Sequence, residues 1–161
     1  MSKIIFFAVF FIFSYQALAS ESSVEVNLQS LAYGQYFGVV LEGGPFFIVR
    51  RSKKEVALLN NKYGAGNFRS TQEQFFIVRN FASSESCVLQ YTKINNNKFI
   101  GTPVFYTGGF IDHCTGSQFD LSGRVILSTP GNKTVLIPVA KHEYTSSNSV
   151  VVFGNLYAGE Q

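Results

Sequence analysis

Sulfur donors are scarce in this chain: 161 residues contain two cysteines, and no Cys-x-x-Cys pair exists to support thiol-disulfide exchange chemistry. Charge is sparse as well, at 14% of residues with a formal net of +3, too small an excess to indicate nucleic acid or an anionic membrane as partner. No carboxylate pair stands out, and no glycine-rich phosphate loop sits between a strand and a helix. Internal repeats and low-complexity linkers are absent, which argues against a second domain. Long apolar runs are missing except at the start of the chain.

That start is informative. Lys3 is followed by the apolar run Ile4 to Phe13 and then by Ala17-Leu18-Ala19, the small-x-small pattern of a signal-peptidase site. The pattern predicts a signal peptide over residues 1–19, cleaved after Ala19, and one exported domain over residues 20–161. The alternative is an uncleaved anchor, but the run is about half of the roughly 20 apolar residues a spanning helix needs, and Ser14 and Gln16 follow it. Removal of Lys3 lowers the formal charge to about +2.

What remains is apolar enough, at 46% overall, to build a core, and it reads as all-β. Strands are expected at Val24–Asn27, Tyr36–Leu41, Phe46–Arg51, Gln74–Arg79, Cys87–Thr92, Phe99–Tyr106, Arg124–Ser128, Thr134–Val139 and Ser149–Phe153, each β-branched or aromatic. Turns fall at Glu42-Gly43-Gly44-Pro45, Asn95-Asn96-Asn97, Thr107-Gly108-Gly109, Ser122-Gly123 and Pro130-Gly131-Asn132. The first of these predicts a β-hairpin. Ser52 to Asn61 has the composition of a short helix, ended by the glycines at 64 and 66. The basic run Arg50-Arg51-Ser52-Lys53-Lys54 is expected to be a solvated strand end. Among 17 Phe and 8 Tyr with no Trp, the strand residues Phe37, Phe46, Phe47, Phe75, Phe76 and Phe81 are expected in the core.

In an exported protein, two cysteines are most simply one structural bridge. A closed loop of about 27 residues between Cys87 and Cys114 corresponds to roughly 3.5 kcal/mol of stabilisation, less any strain.

The stretch Gly108 to Val125, running Gly-Gly-Phe-Ile-Asp-His-Cys-Thr-Gly-Ser-Gln-Phe-Asp-Leu-Ser-Gly-Arg-Val, resembles the second cluster-binding box of the Rieske iron-sulfur subunit of ubiquinol-cytochrome c reductases. That box reads G-G-(aromatic)-(aromatic)-C-P-C-H-G-S-x-(Tyr or Phe)-D-x-x-G-R-(Ile or Val). Gly108, Gly109, Gly116, Ser117, Asp120, Gly123 and Arg124 agree, and Cys114 takes the second cysteine. Asp112 replaces a liganding cysteine, His113 the proline and Thr115 a liganding histidine. Gly34 to Glu55 is similar to the family's early hairpin, and Glu143 to Gly154 to its closing strand, so the resemblance spans nearly the whole expected domain.

The family's first box reads C-T-H-L-G-C. Aligning Cys87 with its last cysteine places Ala82 and Ser84 on the two ligand positions and pairs Cys87 with Cys114, the family's own bridge between boxes. A shifted register would instead put Cys87 on the ligand cysteine, Leu89 on the histidine and Thr92 on the bridge position. In the first register, Ala82, Ser84, Asp112 and Thr115 occupy all four former ligand positions. A Rieske cluster needs two thiolates on one iron and two imidazoles on the other, so the resemblance implies the scaffold without the cofactor. Phe119, where the family has a tyrosine bonded to a liganding sulfur, lacks the hydroxyl.

The resemblance implies Rieske-like stacked antiparallel sheets with a small loop subdomain closed by one disulfide. It also implies a cluster-free, non-enzymatic role as a structural or interaction module with a protein partner in the bacterial envelope. The competing reading is an electron-transfer subunit that still binds iron or another metal through altered ligands. Cys87, His113 and Cys114 would lie close together on such loops, while His142 sits on another segment. Ser117 with His113 as base is a weaker catalytic pairing, better explained by box geometry. Asn132-Lys133-Thr134 is a glycosylation sequon only in a eukaryotic host.

Overall fold

The computed structural model describes residues 22–82, 87–92, 108–128, 131 and 136–157. The expected leader, the strand at Phe99–Tyr106, the Asn95-Asn96-Asn97 turn, the sequon and Ser84 lie outside these residues. The expected strand at Thr134–Val139 and the Pro130-Gly131-Asn132 turn do so in part.

The described chain is mostly β: three antiparallel sheets and one helix. Strands β2 (Gln35–Leu41), β3 (Gly44–Arg50) and β4 (Phe75–Arg79) form the middle sheet in that order. β1 (Ser23–Asn27), β10 (Ser149–Tyr157) and β9 (Ala140–Ser146) form a second, and β5 (Leu89–Thr92), β6 (Gly109–Asp112), β7 (Gln118–Asp120) and β8 (Val125–Leu127) a third.

The middle sheet is covered on both faces, and its sequence explains how. β3 and β4 each carry Phe-Phe-Ile-Val-Arg, a five-residue repeat that corrects the expectation of none, aligned antiparallel so that Ile48 faces Ile77 and each arginine faces the other strand's first phenylalanine. Side chains alternate faces. Phe47, Val49, Phe76 and Val78 pack with Leu89, Phe110, Phe119 and Leu121 of the third sheet region. Phe46, Ile48, Phe75 and Ile77 pack with Leu28, Val150 and Val152 on the other side. A strand buried on both faces has no polar alternation, which is why these pentapeptides read as unbroken apolar runs. Arg50 lies over the Phe75 ring at 5.4 Å and Arg79 over Phe46 at 5.6 Å, closing the pair at both ends.

Helix α1 spans Lys53–Tyr63, close to the expected segment. Ser52 caps it: its hydroxyl accepts from the Glu55 amide at 3.2 Å while the Glu55 carboxylate accepts from the Ser52 amide at 2.5 Å. Gly64, at φ 86°, ends the helix with its N–H donating to the Asn60 carbonyl.

Two expectations are corrected here. The basic run is solvated only in part: Lys53 and Lys54 are exposed and Arg50 is half-buried, but Arg51 departs from the expectation. Arg51 is fully buried, its guanidinium donating to the carbonyls of Leu121 (2.7 Å), Glu73 (2.8 Å) and Phe68 (3.3 Å) and lying 4.6 Å from the Phe76 ring centre. Carbonyl oxygens left over from two loops, the α1–β4 connection and the turn after β7, supply the acceptors that make burial of a charge tolerable. Phe37 is not in the core: it is 52% exposed on β2, whose outer edge has no neighbouring strand among the described residues.

Candidate functional site

The two family-like boxes meet at one end of the third sheet. β5 and β6 pair so that Leu89 faces Asp112, and β6 and β7 pair Ile111 with Gln118. The five-residue turn between β6 and β7 therefore projects beside the chain entering β5. A disulfide joins them, Cys87 to Cys114, with Cα atoms 5.9 Å apart. This is the bridge that cysteine count and resemblance predict.

Asp112 organises the turn. It is fully buried, and Oδ1 accepts hydrogen bonds from the amides of Cys114 (2.9 Å) and Thr115 (3.3 Å). Its backbone carbonyl accepts from Gly116 at 2.7 Å, and its amide donates to Ser117 at 2.9 Å. Thr115 Oγ1 in turn accepts from the Ser117 amide at 3.3 Å. An aspartate whose side chain accepts from the amides two and three residues on is an Asx-type turn. Asp112, which the resemblance sets on a liganding cysteine, thus holds the loop by hydrogen bonds.

The other candidates fall differently. Ala82 packs against the apolar core. His113 is exposed, its Nε2 paired with Gln90 Oε1 at 2.5 Å, while Ser117 is fully buried, so no nucleophile and base pair forms from them. Among the described residues, the donor atoms gathered in one place belong to Cys87, Asp112 and Cys114, within 4.8 Å of one another. His142 lies on β9 with Nδ1 2.7 Å from the Ala140 carbonyl, and burial pushes its pKa down. Phe119 is buried opposite Phe110.

Asp120, one of the box residues, anchors the far side of the β6–β7 unit. Oδ1 accepts from the Ser122 hydroxyl (2.6 Å) and amide (2.8 Å), and Oδ2 accepts from the Tyr63 hydroxyl and from Lys62 at 3.2 Å. Burial raises its pKa, but the hydrogen bonds from Ser122 and Tyr63 and the nearby Lys62 ammonium outweigh that and hold the carboxyl below the ordinary range. Arg124 donates to the Asn67 carbonyl at 3.0 Å and lies 4.4 Å from the Tyr63 ring centre. Tyr63 and Lys62 were not legible as partners, because nothing local marks a contact with residues 57 and 58 positions away.

The donor set does not fit a Rieske cluster. Both sulfurs are bonded to each other, Ala82 offers only carbon, a single hard carboxylate at Asp112 cannot stand in for the missing thiolates and imidazoles, and the Thr115 hydroxyl is a poor ligand for a soft cluster.

No protein-family profile matches the chain. It is similar to the "Ubiquinol-cytochrome c reductase iron-sulfur subunit" of Bradyrhizobium diazoefficiens, 24% identical over 147 residues that cover 84% of this chain and 74% of that one. The subunit of the same description from Allochromatium vinosum is 24% identical over 155 residues, 86% of this chain and 73% of its own. That from Rickettsia prowazekii is 27% identical over 113 residues, 65% and 58%. The chain is a distant homologue of Rieske iron-sulfur subunits, and its only two cysteines form a disulfide, consistent with loss of the cluster.

Proposed function

We propose that this chain is an exported, cluster-free Rieske-like domain without catalytic chemistry of its own, acting as a structural or protein-binding subunit of a bacterial envelope complex. The observation that carries the reading is the locked bridge: every sulfur a cluster would need as thiolate is spent on Cys87–Cys114. The leader pattern supports export, and an oxidising compartment keeps such a bridge closed. Among the described residues no helix is long and apolar enough to cross a membrane.

A binding role draws support from the outer edge of β2. Its seven residues, Gln-Tyr-Phe-Gly-Val-Val-Leu, carry no charge and no proline, although exposed edges usually carry one or the other to prevent strand pairing. Tyr36, Phe37 and Val40 stand 47%, 52% and 81% exposed, beside a groove of about 620 Å³ between β1 and β2. An uncharged edge with aromatic neighbours suits addition of an extended segment from a partner protein.

Affinity capture of the full chain from envelope fractions tests this. The expected result is a stoichiometric protein partner that Val40→Lys releases while leaving the fold intact. Quinol-dependent electron transfer by the purified chain, or a chain that purifies alone under mild conditions, contradicts it.

A further inference from the structure

The bridged loops bring together three groups that can ligate a metal. Cys87 Sγ, Cys114 Sγ and a carboxylate oxygen of Asp112 all lie within 4.8 Å of one another. We infer that reduction of the Cys87–Cys114 bridge turns this group into a mononuclear Cys2Asp site for a thiophilic divalent cation of the zinc type, with water in the fourth position.

The geometry is close to what such an ion requires. Zinc takes thiolate at about 2.3 Å and carboxylate at about 2.0–2.2 Å in a tetrahedron, which separates neighbouring donors by roughly 3.3–3.8 Å. Opening the sulfur–sulfur bond and moving the donors by about an ångström reaches that arrangement.

The hydrogen bonds that shape the 113–117 turn do not run through the bridge. The hydrogen bonds that shape the turn run from the Cys114 and Thr115 amides to Asp112 Oδ1, from Gly116 to the Asp112 carbonyl and from Asp112 to Ser117. None involves sulfur, so the carboxylate and Cys114 keep their relative placement when the disulfide opens. β5 and β6 pairing, Leu89 against Asp112, holds the Cys87 side.

Chemistry and access agree. A pair of thiolates with one carboxylate is a borderline-soft donor set that suits zinc better than calcium or magnesium. Asp112 is fully buried, and a divalent cation would offset two of the three negative charges that it and two thiolates carry. Cys114 is exposed while Cys87 is buried, so a reductant attacks at Cys114 and Cys87 leaves as thiolate. In balance, a dithiol reductant gives two electrons and two protons and becomes a disulfide, the bridge becomes two thiols, and the cation displaces both thiol protons. The site differs from a Rieske centre in holding one metal ion, no sulfide, and the bridge sulfurs themselves.

Cobalt(II) titration of the full chain, reduced anaerobically with a water-soluble phosphine, tests the inference. The phosphine takes oxygen from water as the bridge becomes two thiols, and it contributes no competing thiolate. Reduced protein is expected to bind one cobalt per chain with thiolate-to-metal charge-transfer and tetrahedral visible bands that zinc abolishes, and oxidised protein to show none. Asp112→Asn, which keeps an oxygen for the turn amides, is expected to weaken binding at least tenfold, and Cys87→Ser to remove the charge-transfer bands. Should reduction unfold the chain, refolding on cobalt addition, read by circular dichroism, supports the site. Absence of cobalt uptake by reduced protein, or uptake unchanged in Asp112→Asn, overturns it. Iron with sulfide in the protein as purified would contradict the cluster-free reading instead, so the two failures are distinct.

Discussion

Arg51 shows how a charged residue can be a core element. Its guanidinium is shared among carbonyls of Leu121, Glu73 and Phe68, and burial lowers its pKa to about 9, partly offset by Asp120, which still leaves it charged at neutral pH. Arg51→Met, similar in length but without donors, leaves buried carbonyls unpaired and is expected to cost about 3 kcal/mol, read as a lowered urea midpoint with unchanged slope. Asp120 predicts an acid limit to stability. Its folded pKa lies below its unfolded value, near 3.9, so its contribution is complete above about pH 5 and is lost as pH falls through the folded pKa. Urea titrations between about pH 6 and about pH 2 should show a shallower acid limb in Asp120→Asn than in wild type. Neither role was legible locally. A basic run followed by an acid reads as solvated surface, and only the convergence of two loops on Arg51 reverses that reading.

At the scale of elements, legibility followed burial. Strands with two covered faces, β3 and β4, announce themselves as Phe-Phe-Ile-Val, and the helix announces itself through Ser52, Glu55 and Gly64. β7 and β9, Gln-Phe-Asp and Ala-Lys-His-Glu-Tyr-Thr-Ser, carry too many polar residues to read as strands and exist because β6 and β10 offer them paired edges. β6 was hidden because Gly109, its first residue, reads as part of a turn. β2 was read correctly as a strand, yet Phe37 was placed in the core because an edge cannot be told from a centre in one sequence. The turn after β7 is the most constrained. Gly123 holds φ +75°, and a Cβ there would meet Phe76 Cζ at 2.9 Å and Arg69 Nη1 at 3.0 Å. Gly123→Ala is therefore expected to destabilise by about 2 kcal/mol in chemical denaturation, from positive φ and from the displaced Phe76 ring together.

Over the whole molecule, the disulfide and the resemblance were readable because both rest on residues whose identity is diagnostic: two cysteines, and the glycines, Asp120 and Arg124 of one box. The hydrogen-bonded turn at Asp112 was not readable. That Asp112 ties the turn through the Cys114 and Thr115 amides depends on a backbone path that no spacing encodes. On the proposed cluster-free reading, the bridge and the Asx-type turn together keep the two loops in place. The bridge supplies roughly 3.5 kcal/mol in the chain-entropy account, a large part of the 5–15 kcal/mol typical of a domain.

The most direct test is the content of the protein purified without oxygen from its native host: iron, acid-labile sulfide and visible absorbance, alongside a count of reactive thiols. The account predicts no stoichiometric iron, no sulfide, no visible band and no free thiol, whereas two irons and two sulfides per chain with reactive cysteines would contradict it.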